Sequence, residues 1–153
     1  GVDYAYARGK MIMAAAGTSF SWTSWWGVIY PAAYSSCIAV TGVKESGAKC
    51  GSCHDGSKVL YTITMERTSS SSRNSLSLPF SGTNPTYIGG SSAATSTAAG
   101  IAALIWSARP NMTRAQVQTC LTNTAQFYPN KSSTKGYGNL NATAAVNYAI
   151  ANY

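Results

Sequence analysis

The chain has 153 residues, 45% of them apolar and only 10% charged, with a formal net charge of +7. This length and apolar share suit one domain with a real core and exclude a disordered chain. The lysines and arginines are scattered, so no nucleic-acid stripe is expected, and no apolar run reaches membrane-spanning length.

Sparse charge, with polarity supplied by Ser, Thr, Asn and Tyr, fits a secreted or periplasmic protein. The chain opens on Gly1 without a signal peptide, so it is expected to start at a processing site or inside a longer gene.

Asp3 to Arg8 reads as the tail of a helix. Lys10 to Ala16 (KMIMAAA) is a short apolar run closed by Gly17, the pattern of a strand buried on both faces. Thr18 to Ala33 forms a long loop with Trp22, Trp25, Trp26 and Tyr30. Cys37 to Val43 and Val59 to Met65 are the next strands. Arg67 to Ser77 is serine-rich and reads as an exposed loop.

Ser92 to Ser107 reads as a helix. Its first half is drawn only from Ala, Gly, Ser and Thr, so it is expected to pack closely against its neighbours. Arg109-Pro110 ends it. Thr113 is placed to cap a helix through Asn123, and Asn141 a last helix over Ala142 to Asn152. A helix feeding apolar strands is an α/β signature. With no repeat or linker visible, residues 1–153 read as one domain or one contiguous part of a domain.

Gly89-Gly90-Ser91-Ser92-Ala93-Ala94 puts serines where a glycine turn enters a helix. Unpaired N–H groups and the positive end of the helix dipole gather there. Such groups stabilise an oxyanion when a serine attacks a carbonyl. Taken alone, the motif is equally a simple N-cap made by Ser91 or Ser92.

Several segments in order resemble the subtilase family. Gly90 to Gly100 (GSSAATSTAAG) is similar to that family's nucleophile motif Gly-Thr-Ser-Met-Ala-Ser-Pro-His-Val-Ala-Gly, with the nucleophile falling on Ser92. Pro110-Asn111-Met112-Thr113 with Gln116-Val117 resembles the following segment. Tyr137 to Asn141 with Ala144-Ala145 resembles the closing Gly-x-Gly-x-Ile-Asn-x-x-Ala-Ala motif. Ala14-Ala15-Ala16-Gly17 resembles the strand end beside the primary specificity pocket, and Tyr30-Pro31 would hold a cis bond.

The resemblance implies the C-terminal portion of a three-layer α/β fold with a mostly parallel central sheet and helices on both faces. It implies a serine endopeptidase acting on a peptide or protein substrate. Ser92 would be the nucleophile, Ala14, Ala15, Ala16 and Gly17 would bind substrate, and Thr18 would stand where the family commonly has an oxyanion-binding Asn. The family's Asp and His lie in an N-terminal half that this sequence lacks, so the segment by itself is expected to be incomplete and inactive. Ile29 lies where the family has a pocket glycine, which implies small or medium P1 residues. Calcium is a cofactor the resemblance allows; no other cofactor is expected.

Two other readings stay open. One is a non-catalytic, peptide-binding scaffold, motivated by Thr18, Ile29 and the missing partners. The other is a c-type haem protein, because Cys50-Gly51-Ser52-Cys53-His54 matches Cys-x-x-Cys-His. A metal site on Cys50, Cys53 and His54 lacks an evident fourth ligand. The plain alternative is a structural loop with a local Cys50–Cys53 disulfide, leaving Cys37 and Cys120 free to be small buried hydrophobes.

Overall fold

A computed structural model of the chain describes residues 1–19, 27–67, 75–77, 82–83 and 86–153. In chain order it contains α1 (Val2–Ala7), β1 (Met13–Ala15), β2 (Ile38–Lys44), β3 (Val59–Glu66), β4 (Ser75–Ser77), β5 (Thr86–Ile88), α2 (Gly90–Ala108), α3 (Arg114–Asn123) and α4 (Ala142–Asn152).

Strands β1, β2 and β3 lie side by side in that order, all parallel. Met13 pairs with Ile38 and Ala15 with Val40. β2 is central and buried from Ile38 to Val43, which is why its sequence is apolar without alternation. Residues 137–140 extend the sheet beyond β3: Tyr137 N donates to Leu60 O (2.8 Å), Thr62 N to Gly138 O (3.0 Å) and Leu140 N to Thr62 O (3.2 Å). Gly136 enters this segment at φ +58°, where an added Cβ would lie 2.2 Å from the Leu60 carbonyl oxygen.

The main core lies between the sheet and the helices. Ile38, Val40, Tyr61, Ile63 and Met65 of the sheet meet Ala94, Ala98 and Ile105 of α2, with Leu121 of α3 and Ala149 of α4 behind. Alanines let the α2 backbone come close to the strands, as its composition implied. Tyr61 is fully buried, and its hydroxyl is 2.6 Å from Thr122 Oγ1 at the end of α3. On the opposite face of the sheet, the described residues place the irregular segment 27–37, whose Ala32 packs on Ala14 and Ala39.

Both later caps form where the sequence puts them. Thr113 and Gln116 make a reciprocal capping box, and Asn141 Oδ1 accepts from Ala144 N. The Tyr30–Pro31 bond is cis. Three expectations change. α2 begins at Gly90 rather than Ser92. The strand in Lys10 to Ala16 is shorter, Met13–Ala15, because β2 is its one strand partner among the described residues and the ladder starts near its end. Within Arg67 to Ser77, Ser75–Ser77 is not loop but a strand, antiparallel to Thr86–Ile88; backbone pairing overrides a serine-rich composition. Trp22, Trp25 and Trp26 lie outside the described residues.

Candidate active site

The site forms where the carboxyl end of β1 meets the amino end of α2. Open parallel sheets commonly bind ligands at the carboxyl ends of their strands. Beyond Ala15 the chain stays tied in: Ala16 N donates to Val40 O (2.8 Å) and Ile29 N to Ala16 O (2.9 Å). Ala14, Ala16 and Gly17 are buried, Ala15 is half-buried, and Thr18 emerges at the surface. Gly17 has φ +129°, a conformation that a side chain would strain.

α2 starts from Gly89, which is extended and offers no side-chain cap. Neither serine caps the helix, contrary to the simple N-cap reading. Ser91 turns inward instead and is fully buried. Its Oγ accepts a hydrogen bond from Gly17 N (3.3 Å) and lies 2.9 Å from Thr18 Oγ1. Gly90 sits just as near, since a Cβ there would be 3.2 Å from Thr18 Oγ1. Ser92, the next residue, is exposed on the outer side of the first turn. It lies in the first turn, whose N–H groups have no partner within the helix.

The proton count around Ser91 has a chemical consequence. Its oxygen already accepts from Gly17, so its hydrogen is available to Thr18 Oγ1. With Ser91 as the donor of this pair, the Thr18 hydroxyl keeps its own hydrogen to donate outward, and accepting a bond makes it a better donor. Thr18 and the first turn of α2 thus meet at the β1–α2 junction through Ser91, the residue before Ser92.

Ile29 is 37% exposed. It is tied through its amide to Ala16, so it belongs to the surface beside this strand end and not to the core.

A second strip backs Thr18. Ser19 N donates to Ser52 O (2.6 Å) and His54 N to Gly17 O (2.8 Å), with Thr18 and Cys53 facing each other in an antiparallel bridge. Cys50 and Cys53 are joined in a disulfide with Cα atoms 5.3 Å apart, as the local pairing anticipated. Cys37 and Cys120 are free thiols. Glu66 Oε2 accepts from Gly51 N inside the disulfide loop (2.8 Å). His54 is 2% exposed and its Nδ1 is 2.7 Å from Gly27 O. It is enclosed, whereas Ser92 faces out, so it does not occupy the position of a base for Ser92.

Among the described residues, no group of three or more His, Cys, Asp or Glu side chains is placed to hold a metal ion. Asp55 is 3.7 Å from Lys49, and Asp3 accepts from the Ser36 hydroxyl. Each of these two acids is engaged by a neighbour of its own.

A parallel sheet whose strand end is hydrogen-bonded to a serine-bearing helix N-terminus defines an α/β protein. The subtilase (peptidase S8) family profile matches residues 1–139, and the chain belongs to that family. It is 39% identical over 147 residues to subtilisin E of Bacillus subtilis, spanning 94% of this chain and 35% of that protein. An extracellular protease of Xanthomonas campestris is 33% identical over 151 residues, spanning 97% of this chain and 25% of that protein. The fold is shared with a Pseudoalteromonas arctica protease (TM-score 0.76, 24% identity, 97% of this chain, 45% of that one). It is also shared with a lanthipeptide protease (TM-score 0.77, 18% identity, 96% of this chain, 53% of that one). The chain thus spans about half or less of the proteins it matches.

Sequence reasoning named Ser92, Thr18 and the strand Ala14 to Gly17, and the structure brings these to one corner. It missed Ser91 as the cross-link and the Ser52–His54 strip as the backing. The only sequence signal for the latter was a lone histidine directly after two closely spaced cysteines.

Proposed function

We propose that this chain is the nucleophile-bearing part of a secreted serine endopeptidase. Ser92 Oγ attacks the scissile carbonyl carbon, and the carbonyl oxygen becomes an oxyanion held by Ser92 N–H and the Thr18 hydroxyl. The acyl-enzyme ester is then hydrolysed by water. The base that takes the Ser92 proton and returns it to the leaving amine is a histidine oriented by an aspartate, both contributed from outside these 153 residues. The edge of Ala14 to Gly17 pairs with the substrate backbone, and Ile29 limits the depth of the primary pocket. The proposal of secretion is supported by the sparse charge and by the extracellular protease among the relatives.

The observation that carries this reading is the Ser91 link from Gly17 N and Thr18 Oγ1 to the head of α2. It ties the proposed oxyanion donors to the residue adjoining the nucleophile.

We also propose where the rest of the domain docks. Among the described residues β1 pairs with β2 alone, so its other edge is open. Beside that edge lies an apolar cleft lined by Met11, Ile12, Met13, Ala99, Ala103 and Trp106. An added strand carrying the missing catalytic partners would cover both.

A serine-directed fluorophosphonate applied to the intact protein tests the assignment. Label that appears on the wild type and vanishes in Ser92→Ala is the expected result. An intact, folded protein that takes no label favours the alternative of a non-catalytic peptide-binding scaffold, for which Thr18 in the Asn position is the motivating residue.

A further inference from the structure

We propose that His54 is a positioning residue for the oxyanion side of the site, acting as a clamp that holds Gly17 and Gly27 together. This inference rests on the peptidase reading above.

The geometry is specific to this one side chain. Its backbone N–H donates to Gly17 O at 2.8 Å, immediately before Thr18. Its ring reaches the second glycine, with Nδ1 2.7 Å from Gly27 O. A carbonyl oxygen only accepts, so Nδ1 carries the hydrogen of this bond. The ring also packs against Gly17: a Cβ built there would be 2.5 Å from Nδ1 and 2.8 Å from Cγ. Gly17 therefore has room for its strained φ of +129° and for the imidazole, but for no side chain of its own.

The clamp is itself anchored. Thr41 Oγ1, on the central strand, donates to His54 O. The residue before it is half of the Cys50–Cys53 disulfide and faces Thr18 across the antiparallel bridge. Glu66, at the end of β3, holds the disulfide loop through Gly51 N. Thr18 is thus fixed from two directions: from Ser91 on α2, and from the Ser52–His54 strip braced by β2 and β3. Gly27 leads directly to Ile29, which is tied to Ala16, so the same clamp also sets the wall proposed to bound the primary pocket.

A merely structural histidine would contribute packing and one hydrogen bond. A positioning histidine does more, because oxyanion donors lose effect steeply when displaced, by about 100-fold for an error near 1 Å. Two substitutions separate these roles. Asparagine can place an N–H close to where Nδ1 stands, while leucine fills much of the volume without a donor.

The experiment uses the intact protein and three variants: His54→Asn, His54→Leu and Ser92→Ala. It measures kcat and KM on a peptide amide substrate, the fluorophosphonate labelling rate, and the thermal midpoint. We expect His54→Leu to lose about 10- to 100-fold, chiefly in kcat, with the labelling rate falling in parallel. His54→Asn should keep at least about a third of wild-type kcat, even where its thermal midpoint drops.

The inference is overturned if His54→Leu folds and keeps kcat within about threefold of wild type. It is also overturned if His54→Asn loses as much kcat as His54→Leu, since ring volume and not the bond to Gly27 would then matter. If His54→Leu does not fold, the His54→Asn kcat decides alone. Wild-type protein that takes no label removes the peptidase reading itself, and this one with it; wild type that labels while both His54 variants match it removes this inference only.

Discussion

Ser91 Oγ and Thr18 Oγ1 lie 2.9 Å apart although 73 residues separate them in the chain. This contact, with the Gly17 amide as a second anchor, is what joins the helix carrying Ser92 to the strand end carrying the proposed donors. Replacing Ser91 by Ala leaves the Gly17 N–H unpaired and frees the Thr18 hydroxyl to rotate. Ser91→Ala in the intact protein is expected to lower kcat about 10-fold and to cost about 1–2 kcal/mol in denaturant unfolding. Ser91→Thr, which keeps the hydroxyl, should restore most of both.

Thr18 offers one short donor where relatives of this family commonly have a longer amide. Thr18→Ala should reduce kcat by about 10²- to 10³-fold and cost about 1 kcal/mol of stability, because it takes away the partner of the buried Ser91 hydroxyl. Thr18→Asn should equal or exceed the wild-type kcat. An active enzyme indifferent to Thr18→Ala would show that another group holds the oxyanion.

Ile29 is exposed and tied through its amide to Ala16 O at 2.9 Å. Trimming it to Gly should deepen the pocket without disturbing the core. Ile29→Gly is expected to shift kcat/KM toward large aromatic P1 residues by about 10-fold relative to Ala at P1, measured on a matched substrate series.

Gly136 occupies a site where only a hydrogen fits. Its φ is +58°, and a Cβ would meet Leu60 O at 2.2 Å and Val59 O at 2.5 Å, both backbone atoms of β3. Gly136→Ala should therefore destabilise by about 3 kcal/mol or more, read as a lowered denaturation midpoint. Thr113→Ala, which removes the α3 capping box, should cost only about 1 kcal/mol.

Alkaline pH should weaken the fold for a reason visible in the core. Burial pushes the Tyr61 phenol above its ordinary value, and Tyr137 adds to this, while the bond to Thr122 opposes it. Burial likewise raises the Cys120 thiol, and burial then Asp3 raise Cys37. Each group stays protonated in the fold at a pH where the unfolded chain has lost the proton. The unfolded state then binds fewer protons, so stability declines as pH rises past the unfolded values, from about pH 9 upward. A urea midpoint that falls between pH 9 and 11, and falls less in Tyr61→Phe, is the expected pattern.

How much of this was legible in the sequence depended on how local each determinant is. The caps at Thr113 and Asn141 act within three residues, and the helix starts they predict are the ones that form. The apolar run of β2 marks burial on both faces, so it too was plain. The β4–β5 pairing was hidden because a serine-rich stretch carries no apolar alternation to announce a strand. The motif around Ser92 was readable by family likeness, yet Ser91 looked like a cap until its partners 73 and 74 residues away were in place. His54 was harder still: its importance lies in Gly17 and Gly27, neither of which its own neighbourhood announces.

Among the described residues β1 has a strand partner on one side only, and this has a practical meaning for anyone producing these 153 residues. Among the described residues that second edge, next to Met11, Met13 and Trp106, carries no strand, and such an edge is a template for any extended chain it meets. Produced by itself, the polypeptide should self-associate into sheet-rich aggregates. Supplying its complement during refolding should keep it dispersed, so turbidity with and without the partner segment reports whether that border has been closed.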